Sequence, residues 1–215
     1  MKHYFLSDAK FLDLEIPIPH EKMLAEAVLL KHRFTEHRGV EDMHQGWKSL
    51  SLYGIDEDKH ESWQDYGFKN AVEAAEHFKW TRAADECPTI VDWLKTQFPC
   101  QRFGRVRLML LEAGGWIGPH TDTSHRILEN INIPLSNPPE CVWKWGDGEL
   151  MRMEPGGVYA MNISYQHAIY NNSDQDRYHL IVARHDSTDE WKMLMERAAT
   201  KAGVSWQYIL HEIAT

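Results

Sequence analysis

Four residues stand out for the chemistry they could do together: His120, Asp122, His167 and Arg177. Residues two apart on an extended segment leave the same face, so His120 and Asp122 can meet one cation. A distant His167 completes a set of two histidines and one carboxylate. Three protein ligands on one face of an octahedral ion leave the opposite positions open. A non-haem Fe(II) oxygenase needs those positions to seat a chelating co-substrate and then dioxygen. Arg177 follows His167 by ten residues, on a run that reads as the next strand. A guanidinium grips a carboxylate through two parallel hydrogen bonds, which suits Arg177 to the far carboxylate of a co-substrate such as 2-oxoglutarate.

None of these residues decides the matter singly. With 13 His in 215 residues, about one His-x-Asp pair arises by chance. A lone histidine is more often a hydrogen-bonded core residue than a ligand, and a lone arginine more often lies at the surface. The ordered surroundings carry the rest. The chain reads Arg105-Val-Arg-Leu-Met-Leu-Leu-Glu-Ala-Gly-Gly-Trp-Ile-Gly-Pro-His-Thr-Asp, then Ile131-Asn-Ile-Pro-Leu, then Met153-Glu-Pro-Gly-Gly-Val-Tyr-Ala-Met-Asn, then His167 and Asn171-Asn-Ser-Asp-Gln-Asp-Arg-Tyr-His-Leu-Ile-Val. That series resembles the aspartyl/asparaginyl β-hydroxylase family of Fe(II)/2-oxoglutarate-dependent dioxygenases, which is similar in turn to the bacterial free-proline hydroxylases. The resemblance covers residues 102–186 and, more weakly, 44–54.

The resemblance implies a double-stranded β-helix, a jelly roll of cupin-like form. It implies iron held by His120, Asp122 and His167, with 2-oxoglutarate anchored by Arg177. It also implies oxidative decarboxylation to succinate and carbon dioxide, using dioxygen and coupled to hydroxylation of an unactivated C–H bond. The substrate would be an amino acid or an Asp-, Asn- or Pro-type residue. Some hydroxylases of the family lack the acidic ligand; Asp122 supplies it here, as in the free amino-acid hydroxylases.

The chain also departs from the family pattern. Members commonly carry Arg and His on the strand before the Ile-Pro-Leu element, whereas this chain has Asn130 and Asn132. Two amides can hydrogen-bond a carboxylate but bring no charge, so they are expected as neutral co-substrate contacts. The missing cation falls to Arg126 or, better, Arg107, because an arginine on a hydrophobic strand is costly unless it faces a polar cavity. Arg107 and Trp116 are therefore the expected substrate contacts. His179 shares the strand parity of Arg177 and can line the same interior.

These side chains need a scaffold, and composition bounds it. A chain of 215 residues with 43% hydrophobic content and a mean hydropathy of −0.53 supports one sizeable core. A single oxygenase domain over 1–215 is expected: a helical part over 1–101, a jelly-roll core over 102–186 and C-terminal helices over 187–215. The formal net charge of −9, without any long Lys/Arg block, argues against nucleic acid and anionic membrane surfaces as partners. No apolar run approaches a membrane span and residues 1–10 lack the apolar core of a signal peptide, so a cytoplasmic location is expected. Three scattered cysteines, Cys87, Cys100 and Cys141, read as reduced packing residues. Nine Trp hint weakly at an aromatic-walled cleft.

In chain order, a strand or loop opens the sequence, and helical spacing of apolar residues predicts an amphipathic helix over 21–33. A strand is predicted over 44–54, then helices over 70–82 and 88–98, the second with Pro88 in its first turn. Alternation predicts strands over 102–112 and 127–135, with glycines 114, 115 and 118 turning the backbone sharply beside the site. A hairpin turns at Asp147-Gly148, and strands follow over 158–162 and 177–184. Two further helices are predicted over 190–202 and 205–213. Short strands punctuated by turns indicate a closed double-layer β core.

Two other function classes use the same residues. A divalent ion on the triad could activate water in a hydrolase or cupin-type isomerase. Alternatively, a non-catalytic jelly roll could bind a small acid, with structural histidines. A small-molecule or peptide substrate is expected, amino-acid-like in preference because the acidic chain disfavours docking of acidic protein segments.

Overall fold

A computed structural model of the chain describes residues 2–37, 43–57, 63–123, 128, 130–185 and 188–211. The elements of the first half are β1 (Lys2–Ser7), β2 (Phe11–Asp13), α1 (His20–Leu29), β3 (Thr35–Glu36), β4 (His44–Gly54), α2 (Ala71–Ala75), β5 (Lys79–Trp80), α3 (Arg82–Asp85) and α4 (Pro88–Thr96). Then come β6 (Phe103–His120), β7 (Asn130–Pro134), β8 (Cys141–Trp145), β9 (Leu150–Met151), β10 (Tyr159–Met161), β11 (His167–Asn171), β12 (Arg177–Arg184), α5 (Asp189–Ala202) and β13 (Trp206–His211). Among the described residues no helix is long and apolar enough to cross a membrane.

Alternation along β6 and β12 divides two cores. Val106, Leu108 and Leu110 face outward in register with Val182, Leu180 and Tyr178. Leu50 and Leu52 of β4, Ile131 and Ile133 of β7, and Ala160 of β10 join them in one buried cluster. Met23 of α1, Trp93 and Leu94 of α4, and Trp191 and Met195 of α5 close over that cluster. Each such side chain contributes about 1.5–3 kcal/mol on burial, so most of the stability lies on this outer face. The inner face holds a smaller cluster of Leu111, Ile117, Cys141, Trp143, Trp145, Met151, Met153, Tyr159, Met161 and Ile169. The antiparallel order β2-β10-β7-β12-β6-β11-β8-β9 curls around this inner face. The result is a double-stranded β-helix carrying helices on its outside.

β6 belongs to both layers. Its first half pairs with β4 and β12, and its last residues pair with β11, Ile117 opposite Ile169 and His120 opposite His167. Register against β4 moves from Trp47↔Leu111 to Gln45↔Trp116, so residues 112–115 form a bulge that bends the strand from one layer into the other. Gly114 sits there with φ +70, a conformation that favours glycine. The strand predicted over 102–112 therefore runs on to His120, and the glycines let it continue through a bend. Gly118 serves a different need, since a Cβ there would stand 2.6 Å from the Met43 carbonyl oxygen. Gly118→Ala must push β4 from β6 immediately before His120. Overpacking of this kind costs about 1–3 kcal/mol, so the urea midpoint should fall with an unchanged m-value; an unaltered midpoint would show that the strands part freely.

Three expectations are corrected. The helix predicted over 205–213 is the strand β13, paired antiparallel with β1 from Ser7↔Trp206 to Lys2↔His211. Gly203, left-handed at φ +67, caps α5 and redirects the chain to a waiting strand edge, which outweighs helical spacing. The helix predicted over 70–82 stops at Ala75; Asn70 caps it by accepting from the backbone N–H groups of Val72 and Glu73. The continuation pairs Trp80 with Tyr53 of β4 as β5. Residues 1–101 are accordingly not a helical part set before the barrel, because β4 is one of its long strands, and the described residues of the C-terminal part, 188–211, hold one helix and one strand.

Candidate metal centre

His120 closes β6 and His167 opens β11, directly opposite each other. The Nδ1 of His120 lies 2.8 Å from the Gly118 carbonyl oxygen, and the Nδ1 of His167 lies 2.9 Å from that of Tyr165. A carbonyl only accepts, so each Nδ1 carries a proton, and the tautomer this fixes leaves Nε2 as the atom with which each ring can ligate. Both Nε2 atoms meet Asp122: His120 Nε2 is 3.7 Å from Oδ1, and His167 Nε2 is 3.6 Å from Oδ2. The three ligating atoms lie within 4.8 Å of one another, wider than the about 3 Å between neighbouring ligands drawn in by one ion.

Asp122 reaches the site in a way the spacing did not foretell. β6 ends at His120, and the N–H of Asp122 donates to the Ile163 carbonyl at 3.0 Å. The turn after the strand, rather than strand parity, returns the carboxylate to the histidines. Burial of His167 lowers its pKa below the ordinary value, assisted by neighbouring His120, so its imidazole is held neutral, as ligation requires. The Trp143 ring stacks on His167 at 4.5 Å and 10°, fixing the ring plane. Two imidazoles with Nδ1 tied to carbonyl oxygens and one carboxylate are a donor set for a divalent transition metal.

Arg177 starts β12 on the inner face, buried and opposite Leu111. Its Nε donates to Asn137 Oδ1 at 3.2 Å and its Nη2 to His179 Nδ1 at 3.0 Å. No ion pair neutralises it among the described residues, and burial pushes its pKa down to about 10. A desolvated guanidinium without a carboxylate is a site waiting for an anion. On β8 the inner-face residues run Cys141, Trp143, Trp145. Asn137, which receives Arg177, donates to the Cys141 carbonyl at 3.4 Å, and Trp143 stacks on His167. Trp143 therefore stands on β8 between Cys141, next to the Arg177 partner Asn137, and Trp145, which is opposite His167 in register.

The remaining predicted residues are placed as follows. Asn130 and Asn132 sit on β7, joined by a 3.0 Å hydrogen bond from Asn132 Nδ2 to Asn130 Oδ1. Arg107 shares their inner face, but Ile181 lies between it and Asn132 in register. Two strand spacings, roughly 9–10 Å, separate their backbones, so Arg107 does not simply replace a charge at the asparagine pair. Trp116 is placed differently from these. Its neighbour Ile117 packs inside, so Trp116 points to the opposite face, where its indole donates to Gln45 Oε1 at 3.3 Å. Arg126 lies outside the described residues.

Sequence reading missed Trp47, Trp143 and Asn137. Trp47 of β4 brings its ring to 6.5 Å from His120 and 4.2 Å from His37. Alternation of Trp143 and Trp145 was a usable signal, since period two puts both on one face. Nothing local marked Asn137, whose role depends on a partner forty residues away.

Fold and site together define a double-stranded β-helix with a two-histidine, one-carboxylate cluster at the junction of its sheets. Residues 21–186 match the aspartyl/asparaginyl β-hydroxylase family, and the chain belongs to that family. No curated protein shows significant similarity to it. Among solved structures, a Pseudomonas putida prolyl-4-hydroxylase is 14% identical over 86% of this chain and 94% of its own, with a TM-score of 0.45. A Burkholderia pseudomallei oxidoreductase of the 2OG-Fe(II) oxygenase family is 14% identical over 77% and 81%, with a TM-score of 0.48. A Bordetella pertussis cupin domain is 17% identical over 40% and 84%, with a TM-score of 0.33.

Proposed function

We propose that the chain is an Fe(II)- and 2-oxoglutarate-dependent hydroxylase of a small amino-acid-like substrate. One observation carries the reading: two histidine rings and a carboxylate converge, and a buried guanidinium with no counter-ion among the described residues lies on the same inner face. Iron bound there supplies dioxygen activation coupled to decarboxylation of 2-oxoglutarate, which gives succinate, carbon dioxide and a hydroxylated product. His120, Asp122 and His167 would hold the metal. Arg177 grips the far carboxylate and so orients the keto-acid end toward the histidines, while Asn130 and Asn132 offer neutral hydrogen bonds to the co-substrate. Trp143 and Trp47 wall the cleft and exclude water, and Arg107, on the inner face of β6, contacts a substrate carboxylate. The net charge of −9 disfavours acidic protein segments as substrates. Three buried free thiols suit a reducing cytoplasm.

Under anaerobic conditions, Fe(II) and 2-oxoglutarate together should give a weak visible charge-transfer band that neither gives alone. Absence of the band would favour a water-activating metal enzyme or an acid-binding module. The substrate preference is tested by screening amino acids and peptides for the mass gain of one oxygen atom; hydroxylation confined to a folded protein domain would overturn it.

A further inference from the structure

The barrel interior contains buried donors without acceptors. Among the described residues, Trp143 Nε1, Trp145 Nε1 and His179 Nε2 are buried and lack a hydrogen-bond partner. For His179 the tautomer is forced by its neighbour. A guanidinium only donates, so the 3.0 Å contact from Arg177 Nη2 makes Nδ1 the acceptor, and the ring proton must sit on Nε2. His179 is 1% exposed. Strand alternation places it on the inner face with Arg177, while Tyr178 and Leu180 enter the outer core. Its strand neighbours are Met109 and Pro134, whose side chains offer at most a weak thioether acceptor. The Nε2–H therefore bears its full desolvation cost until a ligand supplies one. Arg177 and His179, tied by their own hydrogen bond, form one donor surface on which an ammonium group or another N–H would find no partner. A carboxylate satisfies both.

We propose that His179 is the second arm of the co-substrate clamp, its Nδ1 orienting the Arg177 guanidinium while its Nε2–H donates to the far carboxylate of 2-oxoglutarate. The inference rests on the 2-oxoglutarate reading above and adds a specificity determinant: His179 selects 2-oxo acids that end in a second carboxylate. The orphaned indole donors of Trp143 and Trp145 agree with an acceptor-rich occupant.

The test compares 2-oxoglutarate with 2-oxovalerate, of equal chain length but without the far carboxylate, by titrating the band of the Fe(II)-loaded protein under anaerobic conditions. His179→Asn keeps an acceptor near the Nδ1 position and removes the Nε2 donor. It should weaken 2-oxoglutarate by about tenfold or more, leaving 2-oxovalerate and iron affinity unchanged. His179→Gln, whose amide N–H reaches closer to the Nε2 position, should recover part of the loss. Equal weakening of both acids would assign His179 a packing role and overturn the proposal, as would a variant with unaltered preference. If the unmodified protein gives no band with 2-oxoglutarate, the functional reading falls and this inference with it; a normal band combined with unchanged preference in both variants sinks the clamp alone.

Discussion

His167→Ala should strip the protein of iron and abolish succinate formation while leaving it folded. The substitution removes one of three ligating atoms, and the Asp122 carboxylate 3.6 Å away keeps only His120 as a partner in the cluster. Loss of an outer-shell partner of a metal ligand costs roughly 10–100-fold in affinity; loss of a ligand itself should exceed that. Folding should survive because the outer core of Leu50, Leu108, Ile131, Trp93 and Trp191 lies on the opposite face of the sheets. The backbone pairing of β11 with β6 and β8 also does not depend on the imidazole. Metal analysis and far-UV circular dichroism together check this. Parental iron content and turnover in the variant would show that the ligand set is different.

Arg177→Leu should produce the opposite pattern, with iron kept and co-substrate lost. Leucine keeps the bulk of the stem and deletes the charge-assisted fork, and a hydrogen bond to a charged group is worth on the order of 1.5–3 kcal/mol, or roughly ten- to hundredfold in affinity. The requirement for 2-oxoglutarate should rise by that order, and 2-oxo acids without the far carboxylate should lose less. The change also leaves Asn137 Oδ1 and His179 Nδ1 without their donor, so the loss should fall toward the upper end. Unchanged 2-oxoglutarate affinity would transfer the anchor to Arg107. Arg184, at the far end of β12, is unsuited to it: its guanidinium lies 4.1 Å from the centroid of the Trp191 ring, on the helix-covered side of the strand.

The amino-acid sequence by itself determined the layered β architecture, because period-two alternation in 106–111 and 178–182 can bury only one way round. It also singled out His120, Asp122, His167 and Arg177, because few residue types bind a cation or a carboxylate and their order along the chain is distinctive. What it could not determine depends on partners far away in the chain. Trp206 to His211 suits a helix or a strand equally until β1 offers an edge. Trp116 and Trp47 look alike as aromatic residues near the site, yet the bulge at 112–115 sends one outward and leaves the other beside His120. Asp122 meets the histidines through a hydrogen bond to Ile163, not through strand parity. The forced tautomer of His179 arises only once β12 is formed and Arg177 is buried beside it. Local patterning sets which face a residue prefers; register, bulges and burial, which are properties of pairs of strands, set what it touches.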